Sequence, residues 1–184
     1  MVHGGRLTQL RARERGRRRV LQVTFGASAL AVPIPLISAA GIVHDVPDAE
    51  EVYAADVMSL VNQERAANGC PALTVNLAMA AAAYEHSKDM GVNGYFAHDT
   101  PAGVTPWTRM EDAGYQEPAA ENIAEGYTSP REVVNGWMNS PGHRDNILNC
   151  TFKAAGVGYY DGEAAKRTAA NSNGPWWTED FGYE

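Results

Sequence analysis

The chain has 184 residues, a length typical of a single domain. Its first 19 residues contain seven arginines and one glutamate, a net charge of +6, and because the whole chain carries −7, the remainder carries −13. A body this acidic repels phosphate backbones, so nucleic acid is excluded as an expected partner.

An uncharged stretch follows the basic leader, over residues 20–43. A basic region, an apolar run and the small residues at 38–40 are typical of an export signal, which we predict over residues 1–40. The sequence RRRVL, from Arg17 to Leu21, also fits a twin-arginine signal. We therefore expect a protein that is secreted or associated with the cell envelope.

The alternative is a helix that stays inserted in a membrane, since the uncharged stretch is long enough to span a bilayer. Three residues that weaken such a helix favour export instead: Gly26, Pro33 and Pro35. Cleavage is predicted after Ala40 or Ala54. Residues 41–54 are then a short polar spacer, and residues 55–184 form the mature domain.

Two helices are predicted at the start of this domain. The first covers residues 56–69 and ends at Gly69. Its apolar face consists of Val57, Leu60 and Val61. The second covers the alanine-rich residues 76–90, with Asn76 as its N-cap. The side chains expected in its buried stripe are Leu77, Ala80, Ala81 and Tyr84.

Two shorter helices follow, each with its own start signal. Thr105 and Pro106 begin one helix, and Gly114 ends it. Ser129 and Glu132 form a predicted capping box at the start of the next. The apolar face of that helix consists of Val133, Val134, Trp137 and Met138.

A last short helix is predicted after a Ser-Pro-Gly corner. Ser140 is its expected N-cap, Pro141 opens it, and it runs towards Leu148. His143 then lies in its first turn. Beyond residue 150 the pattern changes to aromatic residues and valine, which predicts two strands over 152–160 and 176–183.

These elements indicate one α+β domain built in layers, because the helices come first and the strands late. The residues between the two strands, 161–175, show no hydrophobic period and are expected to form a loop. We see no internal repeat in the chain.

The chain has two cysteines, Cys70 and Cys150, and both lie beyond the leader. An even pair in an exported protein predicts a disulfide bond between them. Two buried free thiols are the alternative, which fits only a reducing compartment.

Three histidines lie in the body of the domain. His86 is flanked by charged residues and is expected on a solvated helix face. His98 follows two aromatic residues just after the second helix, and Glu121 is expected beside a turn of small residues. Together with His143, they occur where turns or helix starts leave side chains free to point into a groove. We therefore expect His98, Glu121 and His143 to converge on one accessible cleft, with Ser140 at its edge.

Six short motifs appear in order along residues 55–183: VNQERAANG, YFAHD, ENIAEGY, WMNSPGHRDNIL, AAGVGYY and WWTEDFG. Together they resemble the CAP superfamily of cysteine-rich secretory, antigen 5 and pathogenesis-related 1 proteins (SCP domain), in its short bacterial form. The resemblance implies a three-layer α-β-α sandwich with a large open cleft. It places His98, Glu121 and His143 in that cleft.

The chain departs from the family pattern at three positions. Ser140 stands where many eukaryotic members have a second cleft glutamate. Ala120 replaces a glycine before the ENIA motif, and Glu179 replaces the usual glutamine of the last motif. The first replacement predicts an altered backbone before Glu121, and the second predicts a carboxylate returned to the cleft.

Two neutral imidazoles and a carboxylate suit Zn²⁺ or a similar divalent ion, with water in an open position. His98, Glu121 and His143 are therefore the expected metal ligands, expected to come from three loops. The alternative is that the same three side chains hydrogen-bond to each other and pin loops together. The residues alone leave both interpretations open.

Catalysis by a nucleophile has little support, because there is no GxSxG motif and Ser140 is explained as an N-cap. The resemblance implies an extracellular binding role, with a lipid, a sterol or a cell-wall component as the expected ligand. A metal-dependent hydrolase or peptidase that uses the same cleft is the alternative, and a purely structural interaction domain is a third. We expect a monomer.

Overall fold

The computed structural model describes residues 48–162 and 174–184. The predicted export signal, the first half of the predicted spacer and most of the predicted 161–175 loop lie outside these residues. The described part of the chain forms five helices and four strands. The helices are α1 (Ala49–Ala67), α2 (Leu77–Asn93), α3 (Pro106–Asp112), α4 (Pro130–Met138) and α5 (Pro141–Ile147). The strands are β1 (Thr74–Val75), β2 (Pro118–Glu125), β3 (Ala154–Tyr160) and β4 (Trp176–Gly182). Within these ranges no helix has the length and apolar character needed to cross a membrane.

Polar side chains begin four of these helices by accepting hydrogen bonds from backbone N–H groups. Asn76, Thr105 and Ser129 do so for α2, α3 and α4, which confirms three predicted helix starts. Asp48 caps α1 in the same way, through the N–H of Glu51. For this reason α1 begins well before residue 56, and the second half of the predicted spacer is helical.

The predicted buried stripe of α2 is wrong. Leu77 is 81% exposed, and Ala81 is exposed as well. The residues that α2 buries are Met79, Ala82, Ala83, His86, Ser87, Met90 and Gly91. They repeat at helical spacing on the other side of the helix. In an alanine-rich helix almost every face is apolar, so the single leucine misled the prediction. His86, expected on a solvated face, is 1% exposed.

The four strands form one sheet in the order β1-β3-β4-β2. β1 runs parallel to β3, while β4 is antiparallel to both β3 and β2. β3 and β4 are the two predicted strands. The turn predicted at Glu121 is wrong, because residues 120–125 pair without interruption with β4 and place Glu121 inside β2. In the strand order given above, β2 lies at one edge of the sheet among the described strands.

Helices cover both faces of this sheet. On one face α2 lies so close that Gly156 and Gly158 of β3 have no room for a side chain. On the other face, Trp177 and Phe181 of β4 pack into a core that includes Val57 and Val61 of α1. Residues of α4 and α5 belong to the same core. This arrangement confirms the predicted α-β-α sandwich.

A disulfide bond joins Cys70 to Cys150, as predicted. The two cysteines are 80 residues apart, and closing a loop of that length stabilises the fold by about 4 kcal/mol in the chain-entropy picture. The buried guanidinium of Arg65 reinforces the same region. It donates to the carbonyl oxygens of four residues: Pro71, Ile147, Asn149 and Phe152. The end of α1 is thereby fixed to the segment that enters β3.

The contact between α2 and β3 predicts that Gly158→Ala is strongly destabilising. A Cβ atom at this position would lie 2.1 Å from the backbone nitrogen of Tyr84, so the helix must move away from the sheet. We expect a loss of about 3 kcal/mol in the free energy of unfolding, measured by urea denaturation. Gly142→Ala is the control, because a Cβ atom there meets nothing within 4 Å. Equal stability of the two variants would contradict this account of the packing.

Candidate functional site: a histidine cleft at the sheet edge

Glu121 is the centre of a buried polar cluster at the edge of the sheet. Its side chain is 1% exposed, and each carboxylate oxygen has a partner. Oε1 lies 2.7 Å from Nδ1 of His98, and Oε2 lies 2.5 Å from Nη2 of Arg109. A carboxylate only accepts hydrogen bonds, so Nδ1 of His98 carries the proton in this contact.

Arg109 of α3 fixes the loop that carries His98. Besides its contact with Glu121, the guanidinium donates to the carbonyl oxygens of His98, at 2.9 Å, and Val104, at 3.1 Å. One cation therefore holds the backbone of His98 and the acid that orients its ring. Arg109 was not among the predicted site residues. The sequence feature that could have indicated this residue is that Arg109 is the one basic residue on a short, well-capped helix.

His86 supports the same loop from beneath. Its Nε2 lies 3.0 Å from the carbonyl oxygen of Ala97, the residue just before His98. Burial lowers the pKa of His86, so the ring is neutral and donates through Nε2. The buried histidine of α2 thus helps to place His98, a role that its charged sequence neighbours concealed.

His143 approaches the cleft from α5. Its Nδ1 lies 2.9 Å from the hydroxyl oxygen of Ser140. The predicted role of the Ser140 side chain as an N-cap is wrong, because the hydroxyl contacts the imidazole and makes no capping hydrogen bond. The backbone of His143 is held as well: its carbonyl accepts from Asn122 Nδ2 at 3.2 Å. Asn146 of α5 donates to Asn122 Oδ1 at 2.9 Å, which fastens the helix to β2.

The two cleft imidazoles have opposite pKa shifts. The hydrogen bond to Glu121 raises the pKa of His98, although partial burial opposes it. Burial lowers the pKa of His143, and the charge of His98 lowers it further. Asn122 and Asn146 connect the segment of His143 to β2 beside Glu121, so both imidazoles belong to the same edge of the sheet.

Asp180 lies behind Glu121. The two residues are directly opposite on β4 and β2, so their side chains share the face covered by α2. Asp180 is 1% exposed, and burial, together with the charge of Glu121, raises its pKa well above the ordinary value. The acid behind Glu121 therefore binds its proton more tightly than an ordinary aspartic acid does.

Glu179 does not return a carboxylate to this cleft. Successive residues of a strand point to opposite faces, so Glu179 lies on the other side of the sheet from Asp180. It is fully buried there, opposite Asn122, whose Nδ2 is 3.5 Å from its Oε2. Burial raises the pKa of Glu179 to about 8, although Asn122 and Arg65 oppose the shift.

The structure therefore brings His98 and Glu121 into contact and places His143 nearby with Ser140. They come from a loop, a strand and a helix, not from three loops. Within the described residues, no group of three or more histidine, cysteine, aspartate or glutamate side chains has an arrangement suited to a metal. Glu121 already contacts a cation, Arg109, and is better placed to orient His98 than to bind a metal directly.

Comparison with known proteins agrees with this architecture. The model of the CAP family, described as the cysteine-rich secretory protein family, matches residues 58–181. The chain belongs to the CAP family. That match covers the second half of α1, the sheet except for the last residue of β4, and His98, Glu121 and His143.

Relatives of this CAP domain occur in bacteria. YkwD of Bacillus subtilis (strain 168), an uncharacterized protein, is 37% identical over 136 residues, or 73% of the chain. The crystal structure of an extracellular protein containing a SCP domain from Bacillus anthracis is 32% identical and has a TM-score of 0.65 over 73% of the chain. An outer surface protein of Borrelia burgdorferi shares the fold, with 23% identity and a TM-score of 0.58 over 70% of the chain and 90% of its own.

The matched region is only part of the two Bacillus proteins. It spans 49% of YkwD and 41% of the B. anthracis chain. What those whole proteins do is therefore not transferred by the match.

The contact between His98 and Glu121 predicts how His98 titrates. In Glu121→Gln the negative partner is gone while the cation of Arg109 remains, so the pKa of His98 should fall below its ordinary value of 6.5. NMR titration of the imidazole C–H signals measures this shift. Glu111→Gln, an exposed change on the same helix as Arg109, is the control and should leave His98 unchanged. An unchanged pKa in Glu121→Gln would show that the contact does not form in solution.

Burial of Glu179 predicts a pH-dependent stability. Its folded-state pKa, about 8, exceeds the ordinary 4.5, so the folded chain binds this proton more tightly than the unfolded chain does. The stabilisation that this proton gives the folded state is complete below about pH 4.5 and is lost as the pH rises through about 8. Between these values the free energy of unfolding falls by about 1.4 kcal/mol per pH unit.

Glu179→Gln should remove this loss, because glutamine has nearly the same shape and no charge. The variant should be more stable than the wild type at pH 9, with the difference shrinking towards pH 5. Urea denaturation across this range measures the difference. A constant difference at every pH would mean that Glu179 does not change protonation between the two states.

Proposed function

We propose that this CAP domain is an extracellular binding module that holds a divalent cation between His98 and His143. One observation carries the proposal: both imidazoles are fixed through Nδ1, His98 by Glu121 and His143 by Ser140. No described residue hydrogen-bonds to Nε2 of either ring. In neutral His98 the proton is on Nδ1, so Nε2 has the free electron pair that a metal requires.

Glu121 has an indirect role in this proposal. A metal-binding histidine commonly donates its other ring N–H to a carboxylate, which fixes the tautomer and makes the ring a better ligand. The pair of Glu121 and His98 has this arrangement. Two imidazoles suit Zn²⁺ or a similar ion, with the remaining positions taken by water or by oxygen atoms of a bound molecule, so modest affinity is expected.

The extracellular location is part of the proposal and rests on three observations. The leader has the features of an export signal, and the disulfide bond fits an oxidising compartment. In addition, two structural relatives are described as an extracellular protein and an outer surface protein.

Zinc calorimetry on the full chain tests the cation site. His143→Ala should abolish binding, because one imidazole is too weak a ligand alone. Glu121→Gln should weaken binding about 10- to 100-fold, the usual cost of losing such a partner. Glu85→Gln, an exposed change on α2, is the control and should bind as the wild type does.

The pH dependence gives a second measurement. Protons compete with the metal, and because the pKa of His98 is raised, zinc affinity should begin to fall at a pH above 6.5. Equal zinc binding by wild type and His143→Ala would remove His143 from the site. A His143→Ala chain that fails to fold, judged by circular dichroism, would favour a structural role for the histidine.

A metal-dependent hydrolase remains the second candidate, because the contact with Glu121 makes His98 more basic, as a general base requires. Hydrolysis of a peptide or a cell-wall substrate that requires both zinc and His98 would favour this candidate. Co-purification of a lipid without turnover would favour binding.

A further inference from the structure

A groove lies beside the histidine site, and of the residues that line it only Ser140 takes part in the cation-binding proposal. It has a volume of about 640 Å³, within the range of small-molecule sites. The loop after β2 and the exposed side of α4 form its walls. The lining residues are Gly126, Tyr127, Thr128, Glu132, Asn135, Gly136, Asn139 and Ser140. We propose that this groove binds a neutral oligosaccharide.

The loop that forms one wall is held in place by the rest of the fold. The N–H of Gly126 donates to the carbonyl oxygen of Pro175, and the indole of buried Trp177 donates to that of Tyr127, both at 2.8 Å. The N–H and hydroxyl of Thr128 donate to Glu132 Oε2, at 3.1 and 2.9 Å. The groove therefore exists before a ligand arrives, which lowers the entropic cost of binding.

Tyr127 presents an aromatic ring to the groove. The ring lies against α4 at Gly136, where a Cβ atom would come within 2.5 Å of the tyrosine hydroxyl oxygen. The side chain is still 37% exposed. A ring in this position offers an apolar face for the C–H groups of a sugar, while its hydroxyl remains available for hydrogen bonding.

The other lining side chains suit a ligand rich in hydroxyl groups. Asn135 of α4 and Asn139, just after its end, are both exposed and lie one turn apart. Each amide offers a donor and an acceptor, and one N–H of Asn139 already donates to the carbonyl oxygen of Asn135. Glu132 adds a carboxylate and Ser140 adds a hydroxyl. The lining contains no lysine, arginine or histidine, so an anionic ligand would meet only the charge of Glu132. This combination favours a neutral sugar over a phosphate or an acidic glycan.

A peptide fits the groove less well. Extended peptides pair with a free strand edge or anchor apolar side chains in pockets. The long wall of this groove is a helix, whose backbone groups are already paired within α4, and its exposed side chains are polar. Recognition here must therefore come from side chains, as it does for a sugar.

Two neutral tetrasaccharides, cellotetraose and N-acetylchitotetraose, are the probes for an NMR titration of the full chain. At least one should shift the backbone amide signals of residues 126–128 and 135–140. Tyr127→Ala should weaken binding at least tenfold. Gly136→Ala should do the same, because the added methyl group displaces the tyrosine ring without removing any polar group from the groove.

Two matched variants serve as controls. Gly142→Ala has free space around the new methyl group, and Trp107→Ala removes another exposed aromatic ring outside the groove. Both should bind the sugar as the wild type does. His143→Ala should also retain sugar binding while it loses zinc binding. The sugar site and the proposed cation site can therefore be disproved independently of each other.

The remaining outcomes overturn the inference. No shift with either sugar at 10 mM, on the order of the weakest useful affinities, would exclude it. Loss of binding in Trp107→Ala with Tyr127→Ala unchanged would place the sugar elsewhere. Shifts of the groove signals by a neutral tetrapeptide, with neither sugar active, would show that the groove recognises peptides.

Discussion

A carboxylate that is almost fully buried must be matched by donors, because an unmatched buried charge costs more than most folds can tolerate. Glu121 meets this requirement with groups from two different segments, the guanidinium of Arg109 and the ring N–H of His98. Because β4 holds β2 in the sheet, the loop that carries His98 and helix α3 must pack against Glu121. The position of His98 follows from that constraint, and the contacts of Arg109 with two loop carbonyls make the arrangement rigid.

The two buried acids of β4 differ from Glu121 in how the cost of their burial is reduced. Glu179 and Asp180 are consecutive and buried on opposite faces, and burial raises the pKa of both. Protonation removes the need for a counter-ion, and the raised pKa values favour the protonated form of both acids. Glu179 contributes to the face opposite the histidine site, where Asn122 connects it to the backbone of His143.

Much of the fold could be predicted from local signals, since capping residues fix helix starts and aromatic runs mark β3 and β4. Strand β2 was not predicted because it consists largely of alanine and polar residues. Its burial comes from pairing with β4 and from the contacts of Glu121 with His98 and Arg109. The buried face of α2 was not predicted because it is set by close packing against Gly156 and Gly158, which lie far away in the sequence. His86 and Arg109 were not predicted because their contacts with Ala97, His98 and Glu121 depend on the course of the loop between α2 and α3. His98 and His143 were predicted because turn and helix-start signals mark them.

Ser140 connects the two parts of the surface. Its hydroxyl contacts Nδ1 of His143, and the same residue lines the groove beside α4. A hydroxyl has one proton, so a group in the groove that accepts this proton leaves Ser140 able only to accept from the imidazole. Nδ1 of His143 must then be the protonated nitrogen, and Nε2 becomes the free one. Occupation of the groove would in this way favour the tautomer of His143 that the proposed cation site requires, although the two ligands need not touch. The coupling requires a hydroxyl at position 140, which the second glutamate of the wider family pattern would not supply.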